Sequence, residues 1–187
     1  MEQDQGLSSP EPTGDEEYEV LSDRLPAGTW RVDPDSSQVN FRARTLFVLP
    51  VNGFFERFSG ELRVDQDGTA AGALVIDTAS IQTGIDRRDE QLRGGDYFLA
   101  GEHPEMIFTL ESLAASRDTL KLDGSLRVRS QWLPLSFPVT AIAHGDHLHL
   151  EGRVRVDLGT TGLGWARAGM VGRVARADVA LTLQPAA

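Results

Sequence analysis

The stretch LPLSFPVTAIAHGDHLHLEGRVRV, Leu133 to Val156, decides the fold. Apolar residues recur at every second position on both sides of Gly145-Asp146, the signature of two strands with one buried face joined by a tight turn. With Gly145-Asp146 as a two-residue turn, His144 faces His147. The pairs running away from it are then Ala143 with Leu148, Ala141 with Leu150, Val139 with Gly152, Phe137 with Val154 and Leu135 with Val156. All are apolar or glycine. The other face pairs Ile142 with His149, Thr140 with Glu151, Pro138 with Arg153 and Ser136 with Arg155, and is mostly polar. A slip by one residue would turn Leu148 and Leu150 into water, so burial fixes this register.

The same alternation extends in both directions. Val39, Phe41 and Ala43 share a face, as do Leu62 and Val64, then Met106, Phe108 and Leu110, then Leu120, Leu122, Leu126 and Val128, and finally Val179, Leu181 and Leu183. Turn chemistry at Asp67-Gly68 separates two of these runs. From about Trp30 onward the chain reads as a single all-β domain of about eight antiparallel strands. Apolar on one face and polar on the other, such a sheet either closes or packs as a sandwich, and the closed barrel is the expectation. One segment breaks the period: Asp86 to Arg93, followed by Gly94-Gly95, reads as a short charged helix with Thr83 or Asp86 as its cap.

The net charge of -10 is unevenly placed. Glu2, Asp4, Glu11, Asp15, Glu16, Glu17, Glu19 and Asp23 stand against Arg24 alone, so residues 1–25 carry -7 and read as an acidic disordered tail, with the barrel domain over 26–187. A nearly balanced domain without a basic stripe argues against nucleic-acid binding. No segment is apolar and long enough for a transmembrane helix. The start lacks the basic and apolar run of a secretory signal, so a cytoplasmic location is the expectation. Cysteine is absent, which removes disulfides and thiol nucleophiles.

Candidate chemistry is sparse. His144, His147 and His149 have a spacing at which imidazoles could approach one ion, but the register puts them on the outer face without an obvious fourth ligand. His103 precedes Pro104 and has no partner for acid-base work. Asp86, Asp89 and Glu90 interleave with Arg87, Arg88 and Arg93 as a salted helix surface. No catalytic residue, metal site or cofactor is therefore assigned. The interior remains: large side chains share it with Gly124, Gly152, Ala43 and Ala141, which leaves a cavity or a filled core.

Three blocks resemble the YceI-like family. Trp30-Arg31-Val32-Asp33-Pro34 with Val39 and Phe41 is similar to its opening. Val51, Gly53, Phe55, Phe58, Gly60 and Leu62 match a VxGxFxxFxGxL pattern, and Ser80-Ile81, Thr83-Gly84, Arg88-Asp89, Leu92, Asp96-Tyr97-Phe98, Pro104 and Phe108 match the most specific stretch. The resemblance implies a lipocalin-like barrel whose apolar pore takes a long-chain amphiphilic lipid, with a polyisoprenoid as the first candidate. It implies no catalytic machinery, and family members are often exported. The chain departs from the family pattern at Gln91, where a His is usual, at Ser130, where a Gly is usual, and over Leu158, Thr160, Thr161 and Gly162, where a charge pair is missing.

On this reading Phe41, Phe58, Met106, Phe108, Leu122, Phe137, Val139 and Leu150 line the pore, with Trp132 and Trp165 at its rim. Arg88 and Asp89 hold the helix to the barrel. The partners are the lipid and, as an assembly, a homodimer. The rival readings are an interaction protein with a filled barrel and a cup-shaped isomerase or hydrolase.

Overall fold

Described in the computed structural model are residues 18–44, 50–160 and 174–186. In them the alternation becomes β1 (Tyr18–Leu21), β2 (Gly28–Arg44), β3 (Pro50–Phe55), β4 (Phe58–Val64), β5 (Ala70–Asp77) and β6 (Ile81–Gln82), followed by helix α1 (Asp86–Arg93). Then come β7 (Glu105–Ser116), β8 (Thr119–Val128), β9 (Gln131–His144), β10 (His147–Asp157) and β11 (Val174–Pro185). The strands β2, β4, β5, β7, β8, β9, β10 and β11 form an antiparallel barrel that closes where β11 pairs with β2. The eight expected strands are those of the barrel wall. On the edge away from β11 the long β2 serves two neighbours, β4 with its first residues and β3 with Asn40–Arg44, and β6 extends β3.

Closure costs one register shift, between Ala180 and Thr182 on β11. Side chains repair it: Thr182 N–H donates to Ser37 Oγ (2.9 Å) and Thr182 Oγ1 donates to the Ser36 carbonyl (2.9 Å). Both Ser37 and Thr182 are buried, so without these bonds the shift would leave polar groups orphaned.

Hairpin turns set the remaining registers. Arg117, Arg129 and Gly145 take positive φ, each as the first residue of a two-residue turn. The pairing from His144–His147 to Val139–Gly152 is the one read from the sequence. There it stops: the expected pairs Phe137–Val154 and Leu135–Val156 do not form. Beyond Val139, β9 stays on β8 as far as Gln131, while β10 stays on β11 as far as Asp157.

Proline explains the break. A two-residue turn makes His144 and His147 a hydrogen-bonded pair, and such pairs recur every second residue. The β9 positions whose N–H must face β10 are therefore Ile142, Thr140, Pro138, Ser136 and Pro134. Pro138 has no N–H to give, and the ladder that runs from the turn ends at Val139, one residue short of it.

Two further expectations change. Tyr18–Leu21, placed in the acidic tail, pairs with Ala141–His144 of β9, and Leu25 is 3% exposed, so ordered structure begins before residue 26. Residues 1–17 of the expected tail lie outside the described residues. Helix α1 has the expected span, but neither Thr83 nor Asp86 caps it; Ile85 holds the cap position without a side-chain bond. The Asp89 carboxylate turns back to accept from Thr83 N–H (3.0 Å), while Arg88 Nη2 donates to the Thr83 carbonyl (2.8 Å). Arg93 donates to the carbonyls of Ala79 (2.8 Å) and Ile81 (2.9 Å). Arg93 thus ties the helix to β6 and the turn before it, whereas Arg88 and Asp89, expected to hold the helix to the barrel, bond to the connection at Thr83.

Candidate functional site

The inward face divides into two halves. Around the end with the turns after Val64, Ser116 and His144, side chains fill the barrel: Leu120 and Leu148 are each 1% exposed, Leu183 is 2% and Ala141 is 0%. Toward the end with α1 the filling stops. A cavity of about 200 Å³ lies between Phe41, Phe98, Phe108, Leu122, Phe137 and Val156. Its lining is apolar apart from Asn40 and Arg176. A void larger than the roughly 150 Å³ in which a benzene ring can bind is a place for an apolar ligand.

The reason for the space differs from the sequence reading, which credited it to inward glycines. A Cβ on Gly124 would lie 2.6 Å from Phe108 Cζ, one on Gly152 2.9 Å from Phe137 Cε2, and one on Gly53 2.5 Å from Phe41 Cζ. Each glycine is already covered by an aromatic ring. What the glycines do is let the rings lie close against the wall, and the volume left is at the centre of the barrel.

Of the expected pore residues, Phe41, Met106, Phe108, Leu122, Phe137, Val139 and Leu150 line the cavity. Phe58 does not; it is half-buried at the start of β4 and packs on the neighbouring core. Phe55 and Phe98 take the position expected of it, each 6% exposed and edge to face at 5.9 Å. Phe98 follows α1 in the chain, outside any alternating run, so period alone could not place it. Trp132 is 59% exposed on the outer face, with Arg127 Cζ 6.0 Å from its ring. Trp165 lies outside the described residues.

The outer-face histidines have local partners. His144 stacks on Tyr18 at 4.4 Å, His147 Nδ1 lies 2.7 Å from Asp146 Oδ1, and His149 Nδ1 lies 3.1 Å from Thr182 Oγ1. No group of three metal-ligating side chains stands together among the described residues. Tyr97, which precedes the cavity residue Phe98, is held above its ordinary value by burial first and by the charge of Asp96 second.

Comparison with known proteins gives this geometry a lineage. The family model described as the YceI-like domain matches residues 30–186. The chain belongs to the YceI-like family. Protein YceI of Escherichia coli is 28% identical over 124 residues, 64% of this chain and 65% of that protein, so the match spans just under two thirds of the relative's length. The crystal structure of Burkholderia cenocepacia BcnA superposes with a TM-score of 0.74 at 22% identity, covering 81% of this chain and 98% of that one. A polyisoprenoid-binding domain from Saccharophagus degradans, implicated in plant cell wall breakdown, superposes at 0.68 with 16% identity, covering 84% and 98%.

Within this YceI-like domain the departures fall around the hollow end. Gln91 is exposed on α1, and its carbonyl accepts from Gly94 N–H (3.1 Å). Ser130 follows Arg129, whose φ of 54° carries the turn that a glycine would relieve. Leu158 is buried and lines the cavity, contributing apolar surface. Thr160 ends a short 3-10 turn, and Thr161 and Gly162 lie outside the described residues.

Proposed function

We propose that this YceI-like protein binds a long-chain amphiphilic lipid, of polyisoprenoid type, with the apolar chain in the hollow half of the barrel, and that it does so without catalysis. The observation that carries this is the 200 Å³ cavity with its apolar lining. Burying a chain there yields about 0.8 kcal/mol per CH₂ withdrawn from water, so several methylenes suffice for useful affinity. The described lining offers a hydrolase or isomerase neither a paired carboxylate nor a histidine to move a proton. The polyisoprenoid-binding domain from Saccharophagus degradans supports the choice of ligand class.

Native mass spectrometry of protein purified from its host tests this reading. The expected result is an adduct that organic extraction releases as a long-chain lipid. Protein that is ligand-free as isolated and takes up neither farnesol nor a longer isoprenol would overturn it.

A further inference from the structure

Two features of the barrel wall meet at the same place. The first is the unzipped stretch where β9 and β10 part at Pro138. On its inner side Leu135 and Phe137 of β9, and Val154 and Val156 of β10, line the cavity. Among the described residues no other strand pairs with these facing edges. A wall without its ladder opens at less cost than the rest of the barrel, where every hydrogen-bonded pair must break first.

The second feature lies on the outer face of the β10 bank. Arg155 pairs with Arg176 of β11, and Arg176 pairs with Arg42 of β2, so three exposed arginines stand in one row across three adjacent strands. Directly opposed like charges destabilise a sheet. The next row neutralises itself, since Arg153 pairs with Asp178. The Arg155–Arg176–Arg42 row has no ion-pair partner among the described residues. In a chain of net charge -10 it is a local concentration of positive charge beside the unzipped part of the cavity wall.

We propose that the seam between β9 and β10 is a lateral portal for the lipid chain, and that the head group stays outside on Arg155, Arg176 and Arg42. The ligand class is thereby narrowed to an isoprenoid with an anionic, phosphate-type head, because guanidinium groups donate to phosphate oxygens in paired, charge-assisted bonds. This inference rests on the lipid-binding reading and adds to it a route and a head group.

The absence of cysteine makes the test clean. Val154→Cys places one thiol inside the portal, and Pro134→Thr with Pro138→Thr restores the donors that would let the ladder zip. Alkylation by N-phenylmaleimide should slow on the order of tenfold in the zipped protein, since each restored bond must break to admit the reagent. A second closure joins Ser136→Cys to Arg155→Cys with a bismaleimide, verified by mass, and should slow uptake of dansyl-labelled farnesol to a similar extent. Unchanged rates in both closed forms would overturn the portal.

The head group is tested by competition between farnesyl phosphate and farnesol. The full chain should prefer the phosphate by about tenfold, and Arg155→Gln with Arg42→Gln should abolish that preference while leaving farnesol binding intact. Equal affinity for the two in the parent protein would overturn the head-group assignment. Failure of the parent to bind either would overturn the lipid reading itself, a result distinct from binding with unaltered rates.

Discussion

Leu148 and Leu150 lie two residues apart on the same face of β10, yet one is 1% exposed in the filled half of the barrel and the other lines the cavity. Ala141 and Ala177 form a similar contrast, the first fully buried and the second on the cavity wall. Alternation is identical in both halves. What differs is what stands across the barrel: at the filled end leucines reach one another, while at the hollow end aromatic rings lie over glycines on the neighbouring strand and leave the centre open. A shared pattern can therefore build a core and a binding site within one domain.

The sharpest way to break this contrast is truncation. Leu148→Ala should destabilise by roughly 3 kcal/mol, as expected for a leucine in a packed core, whereas Leu150→Ala only enlarges an existing void and should cost about 1 kcal/mol. Denaturant unfolding of the two variants checks it, and equal losses would mean that the halves are packed alike. Enlargement sharpens the same point. Ala141→Leu should overpack and cost about 1–3 kcal/mol. Ala177→Leu should leave the unfolding midpoint nearly unchanged while weakening lipid uptake.

The smallest expected effect is electrostatic and belongs to the hollow end. Tyr97 has its phenol raised by burial and by Asp96, so its absorbance should titrate above the ordinary tyrosine value of about 10. The neutral phenol is the form the fold favours. Its contribution to stability is complete below the unfolded-state pKa and is lost as pH rises through the higher folded value. A titration midpoint at the ordinary value would show Tyr97 to be open to water.

The alternating runs made most of the barrel legible. Leu148 and Leu150 fixed one hairpin register, and the charged run from Asp86 to Arg93 marked the helix, though its fastener to β6 is Arg93. The site was legible in part. Phe41, Phe108 and Phe137 could be found because they fall in phase with other inward residues. Phe98 could not, since it reaches the cavity from the connection after α1, and Phe58 was misplaced because phase gives the face of a strand but not the depth along the barrel. The break at Pro138 lay open in the sequence, for its missing N–H falls on a position that should face β10.

By itself the sequence determined which side chains face inward, how the 145–146 hairpin registers and that no thiol chemistry is available. These are local matters, set by the two-residue period of a strand and by the cost of leaving apolar groups in water. Only the tertiary structure decided where the interior is solid and where it is hollow. Volume at the centre of a barrel depends on residues far apart in the chain, meeting across a curved sheet whose closure no single strand encodes.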